Sequence, residues 1–267
     1  MVYYFYVIST MSTQKETKIN QLLKSQPPGI VFLSSWLVDQ GYSLDLQKRY
    51  RKSHWLESMG SGAMKRTGDK VDFTGALYAL QFQKNLSIHL GAKSALSYLG
   101  KAQYLNLSTQ KVILFGGKNE RLPTWFSENS WGVEVSYHSS SFLPAELGLS
   151  KIEQPTFQLN ISGAARAMLE CLYLVPQEQS VLECYELMES LNNLRPDLVQ
   201  KLLEQCNSVK VKRLFLYLAE KAKHAWFDYL KLDKVELGSG KRSLVKSGIY
   251  VSKYKITVPK ELEDYAH

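Results

Sequence analysis

One segment constrains this chain more than any other: SLDLQKRYRKSHWLESMGSGAMKRTGD, residues 43–69. Ser43 is a helix cap, and Leu46, Tyr50 and Ser53 follow at the spacing of one helical face. Lys48, Arg49, Arg51 and Lys52 crowd the opposite side with no acid among them. HWLES and AMKRT then read as two short strands around Met59, Gly60, Ser61 and Gly62. Neither a solvated helix nor a glycine turn needs so many cations in order to fold, so the charge points to a partner outside the fold.

The preceding residues supply the rest of the pattern. STQKETKINQLLKSQ reads as a first helix, with Ser12 as cap and Ile19, Leu22 and Leu23 on one face, stopped by PPG at 27–29. IVFL is a short strand-like run, and Ser34 or Ser35 caps a brief helix that ends at Gly41. A helix, a glycine-containing turn, a second helix with a basic face and a hairpin follow the grammar of a winged helix-turn-helix. The expected architecture is α+β: a winged helix at 12–71, then a larger mixed α/β domain at 72–267 with a sub-boundary near 144–156.

Charge is distributed accordingly. Residues 1–71 hold ten Lys/Arg and five Asp/Glu, whereas the remainder holds 23 and 20, so the basic excess gathers at the front. An α-helix fits the major groove of DNA, where Arg and Gln read base edges and Lys neutralises phosphate. The expected DNA contacts are Gln47, Lys48, Arg49, Arg51 and Lys52 in the major groove. Lys65 and Arg66 stand near the wing tip over backbone or minor groove, and Ser43 and Ser61 complete the set.

Beyond residue 71 the signals are mainly structural. TGALYALQFQ reads as helix, LSIHLGAKSALSYLG as strand, Gly91 turn and helix, and KVILFG as a buried strand. Ser162 is read as the cap of GAARAMLECLYLV, and a long helix begins near Val209 with Phe215, Leu218, Ala219 and Ala222 on one face. The last 35 residues read as strands. Lys210, Lys212 and Arg213, which oppose the dipole at a helix start, form with Lys241 and Arg242 a second candidate contact for an anion.

Several chemistries lack their residues. Cys171, Cys184 and Cys206 form no C-x-x-C and are read as buried thiols, so no disulfide framework, zinc site or other cofactor is expected. LGSGKRS at 237–243 fails as a phosphate loop because Val235 stands where a Walker glycine belongs and Arg242 follows Lys241. The histidines show no metal spacing. The opening MVYYFYVIST is too short to span a bilayer and is read as an extension or edge strand. The chain reads as cytoplasmic with no membrane role.

Two further readings stay open. The C-terminal domain could be a metal-dependent nuclease delivered to DNA by the winged helix, with Glu134 of GVEVSYH as its acid, although no partner for it is visible nearby. The basic helix could instead contact an acidic protein.

The order of WLVDQGYSLDLQKRYRKSHWLESMGSGAMKRTGD, GALYALQF, IHLGAKSALSYLGKAQYL, LVQKLLEQCNSVKVKRLFLYLAE and LGSGKRSLVKSGIYVSKYKITVPKEL resembles the AbiEi antitoxin family over roughly residues 19–262. The resemblance implies a transcriptional autorepressor without catalytic activity, whose winged helix binds repeats in its own promoter. It also implies a neighbouring nucleotidyltransferase toxin, neutralised without an obligatory stable complex. By position, the recognition helix is 44–53 and the wing 55–66. His54 stands where the family pattern has Gly, at a place where φ > 0 would end the helix.

Overall fold

The computed structural model describes residues 17–101, 111–243, 245 and 248–264. The Ser12 cap and the expected edge strand at 1–10 lie outside the described residues. The N-terminal unit runs α1 (Lys18–Ser25), β1 (Phe32–Leu33), α2 (Ser34–Asp39), α3 (Leu44–Lys52), β2 (Leu56–Ser58) and β3 (Ala63–Arg66). Its strands form an antiparallel sheet in the order β1-β3-β2, with Phe32 opposite Met64 and Glu57 opposite Lys65.

That sheet is buried on both faces, which explains why IVFL shows no polar alternation. Ile30, Phe32 and Met64 point into a small core with Ile19, Leu22, Leu37, Tyr50 and Leu56. Val31, Leu33 and Ala63 point the other way, into the main core. The period of two along a strand therefore welds the N-terminal unit to the remainder of the protein.

The weld is completed by α4 (Phe73–Tyr78), capped by Asp72 and continued by a π-helical turn over Ala79–Gln83. Gln83 acts as a substitute strand: its amide donates to Val31 O at 2.8 Å and its carbonyl accepts from Leu33 N at 2.8 Å. A side chain at position 75 would place its Cβ 1.9 Å from Gly29 O, so only glycine permits this approach.

The larger body contains β4 (His89–Leu90), α5 (Ala92–Tyr98), β5 (Lys111–Gly116), α6 (Thr124–Glu128), β6 (Glu134–Ser139), β7 (Leu149–Glu153) and β8 (Gln158–Ser162). Its mixed sheet has the order β6-β5-β4-β8-β7. Residues 144–156, expected to hold a linker, include β7, which pairs antiparallel with β8 from Leu149 opposite Ser162 to Glu153 opposite Gln158. The polar, half-exposed composition of an edge strand resembles that of a loop, which is why the sequence misleads here.

Helices α7 (Ala164–Leu174), α8 (Val181–Glu189), α9 (Pro196–Gln205) and α10 (Val209–Lys221) pack against this sheet. Every residue of α10 from Val211 to Ala219 is buried, so the helix is central and not the one-faced helix expected from its apolar spacing. Ser162 does not cap α7: Gly163 holds that place, and the Ser162 hydroxyl donates to Glu170 Oε2 at 2.7 Å. The three cysteines are buried, and burial pushes each thiol above its ordinary value. A last sheet of β9 (Arg242–Ser243), β10 (Ile249–Val251) and β11 (Ile256–Val258) precedes α11 (Lys260–Asp264).

Candidate nucleic-acid interface

The α2–α3 pair is set by a polar lock and an apolar wedge. Gln47 is 2% exposed. Its amide donates to Ser34 O at 3.0 Å and Tyr42 O at 2.8 Å, and its carbonyl accepts from Ser34 Oγ at 2.6 Å. Gln47 therefore holds α3 against α2 and is not free to read a base, which corrects the expectation that it lies in the groove. The inward face of α3 is Leu46, Gln47 and Tyr50, while Ser53 is exposed. Hydrophobic spacing could not find Gln47, because a glutamine goes inside only when buried carbonyls await its donors.

The opposite face carries what the charge pattern promised. Lys48, Arg49, Arg51 and Lys52 are all exposed, and among the described residues none forms an ion pair. Ser43 caps the helix by accepting from Leu46 N at 3.3 Å, with Asp45 in the first turn and three cations in the last. Both placements suit the helix dipole and account for part, not all, of the basic bias.

Helix α3 ends at His54, whose φ is +55°. The amide of Trp55 returns to Tyr50 O at 2.9 Å and that of His54 to Arg51 O at 3.2 Å, the closing bonds of a left-handed helix cap. The departure from glycine thus leaves the conformation in place and makes histidine bear it.

The hairpin differs from the expectation. Lys65 and Arg66 lie in β3, away from the turn, and both are engaged internally. Lys65 Nζ pairs with Glu57 at 2.8 Å across the strands and donates to Asp69 O at 2.7 Å. Arg66 donates to Leu23 O at 2.6 Å and also to Gln26 O, covering the carbonyl end of α1. The turn itself rests on the larger body, where Asn129 donates to Met59 O at 2.7 Å and the Gly60 backbone packs on Trp125. Ser61 stays exposed on this turn.

The second cationic group divides in two. Arg213 is 1% exposed and donates to the carbonyls of Leu237, Gly238, Gly240 and Lys255 at 2.8–3.1 Å, so it ties the 237–240 turn to α10. Lys212 is buried, and Lys210 donates to Tyr173 O at 2.8 Å and to Val175 O, burial pushing its ammonium below the ordinary value. Against expectation, Lys210 and Arg213 spend donors on backbone carbonyls of the chain itself, and Lys212 is buried. Lys241 and Arg242 are exposed, Lys241 lying 4.9 Å from the Tyr250 ring centroid.

Glu134, expected to stand alone, has Lys111 at 3.9 Å, and Lys111 also reaches Glu178 at 3.4 Å. Beside them Ser136 Oγ and Glu178 Oε2 approach the same His138 nitrogen, Nε2, at 3.1 and 3.5 Å. A nucleophile relay needs the acid on one ring nitrogen and the hydroxyl on the other, so this cluster cannot relay a proton. Among the described residues no group of three or more His, Cys, Asp or Glu is placed to hold a metal ion. Among them, too, no helix is long and apolar enough to cross a membrane.

Fold and site together define a two-part α+β protein: a small N-terminal unit with a free basic helix, built rigidly onto a larger mixed body. Family models for the AbiEi antitoxin N-terminal domain and for the AbiEi antitoxin match residues 15–107 and 109–259. Both are described as transcriptional regulators, the second as part of a type IV toxin–antitoxin system. The chain belongs to this AbiEi antitoxin family of transcriptional regulators. No curated protein matches it. Among solved structures it is similar in fold to the RV2827C protein from Mycobacterium tuberculosis, with TM-score 0.54, 14% identity and coverage of 90% of this chain and 89% of that one.

Proposed function

We propose that this chain binds double-stranded DNA through α3, as a winged helix-turn-helix, and represses its own promoter as the antitoxin of a type IV pair. The observation that carries the reading is the exposed row Lys48, Arg49, Arg51 and Lys52 on a helix whose other face is locked by Gln47 and Tyr50. Four cations without ion-pair partners on a rigid helix suit a polyanion of fixed geometry. Family membership supports regulation and a toxin partner; a nucleotidyltransferase, neutralised without a stable complex, is the toxin we infer, in the cytoplasm. Repeated operator sites would be filled by copies of the chain side by side.

The basic face supports DNA over an acidic protein because its charge is held on a major-groove-sized helix and not spread over a surface. The nuclease alternative has less support because among the described residues no group of three or more His, Cys, Asp or Glu is placed to hold a metal ion.

The test is binding of the full chain to the DNA upstream of its own gene and to a scrambled fragment, over a salt series. Preference for the upstream fragment with a steep salt slope is expected. Weak binding, equal for both fragments, would overturn the reading.

A further inference from the structure

A winged helix usually reaches the DNA flank with the tip of its hairpin, and here the tip is held elsewhere. Asn129 and Trp125 seat Met59 and Gly60 on the body. Lys65 and Arg66 are bonded inside the N-terminal unit. The open base of the hairpin, where the chain leaves α3, is the part left free.

Trp55 stands at that base. It is 46% exposed, although the strand it enters buries the next residue, Leu56, to 1%. Its backbone is fixed on both sides: its amide bonds Tyr50 O at 2.9 Å, and its carbonyl accepts from Thr67 N at 3.1 Å. Among the described residues the indole N–H has no partner. Within the same turn of chain lie the exposed Arg51, Lys52 and His54. An aromatic with a free donor, carried on a fixed backbone in a positive field, suits an anionic partner with an apolar edge.

Resting on the DNA-binding reading, we propose that Trp55 is a DNA contact: its indole N–H donates to a phosphate oxygen flanking the groove entered by α3, and its ring lies on the adjoining sugar. The hairpin base, and not its tip, is then the flank-contacting part of the unit. The contact adds affinity without charge, and so without counterion release.

The test compares the full-length wild type with Trp55→Phe, which keeps an aromatic face and loses the donor, and Trp55→Ala, which loses both. Binding to the upstream DNA fragment is followed by anisotropy of labelled DNA over a salt series and by intrinsic tryptophan emission. Trp55→Phe should bind about three- to ten-fold more weakly, with an unchanged salt slope, the size of one lost hydrogen bond. The emission change that DNA produces in the wild type should be missing from Trp55→Phe, while its thermal midpoint stays put. Wild-type affinity in both variants, or an emission change that persists without Trp55, would overturn the contact and leave DNA binding standing. A wild type that shows no salt-dependent DNA binding would overturn both.

Discussion

The side-chain amide of Asn129 donates to the carbonyl of Met59 at 2.7 Å, joining residues 70 apart in sequence and pinning the hairpin turn to the larger body. The same amide also donates to Trp125 O at 2.6 Å, so both of its protons are used. Replacing Asn129 by Ala should cost about 1–3 kcal/mol of stability, the usual net worth of two such bonds. Amide hydrogen exchange should then accelerate at residues 59–62 and not in α1. Unchanged exchange at the turn would mean that packing on Trp125 alone holds it.

Exposed and buried arginines should behave oppositely. Arg49→Ala combined with Arg51→Ala should lower the slope of log K against log salt for DNA by about 2, since each contact releases about one counterion. Its unfolding midpoint should barely move. Arg213→Ala should instead cost about 2–4 kcal/mol, because it empties a buried side-chain site and removes the four bonds that hold Leu237, Gly238, Gly240 and Lys255 to α10. Its folded fraction should keep the wild-type salt slope. Urea titrations and DNA titrations on both variants check the contrast.

Gln47 lies on the same helix as the cations, yet its effect should be geometric. Gln47→Leu keeps the volume and leaves Ser34 O and Tyr42 O without their donor, at a cost of about 1–3 kcal/mol. DNA binding should weaken through a misplaced α3 while the salt slope is preserved. Relaxed preference for the upstream fragment with unchanged stability would show that Gln47 touches the DNA after all.

His54 holds a left-handed conformation that costs a side-chain-bearing residue roughly 1–2 kcal/mol and costs glycine almost nothing. His54→Gly also gains unfolded-chain entropy, so the net stabilisation expected is at most about 1 kcal/mol. The shift in urea midpoint measures it. A lowered midpoint would mean that the imidazole makes a stabilising contact in the folded state.

Glu170 should give the fold an acid limit. It is fully buried; burial alone raises its carboxyl, but the bond and charge of His89, the Arg166 guanidinium and the Ser162 hydroxyl outweigh this and hold it below its ordinary value. The folded state thus binds its proton less readily than the unfolded chain. The stabilisation is complete above the ordinary carboxylate range and is lost as the pH falls through the lower folded value. Stability measured from pH 7 downward should fall in this acid window, and Glu170→Gln should start lower and flatten the fall. Parallel curves for the two proteins would assign the acid sensitivity to other carboxylates.

The sequence by itself determined the local elements and the charged face. The Ser43 cap, the Gly41 turn and the exposed cations of 48–52 depend on residues a few positions apart, so spacing and residue type are enough to read them. The same holds for KVILFG as β5, where the apolar run acts locally.

Only the tertiary structure decided which polar residues turn inward. Gln47, Arg66 and Arg213 look like surface residues in sequence, and each becomes internal because distant backbone carbonyls need its donors. Seating the hairpin turn on α6 likewise needs Asn129, far along the chain. A buried carbonyl must be paired wherever its donor lies in sequence, and long-range pairing of that kind leaves no periodic trace.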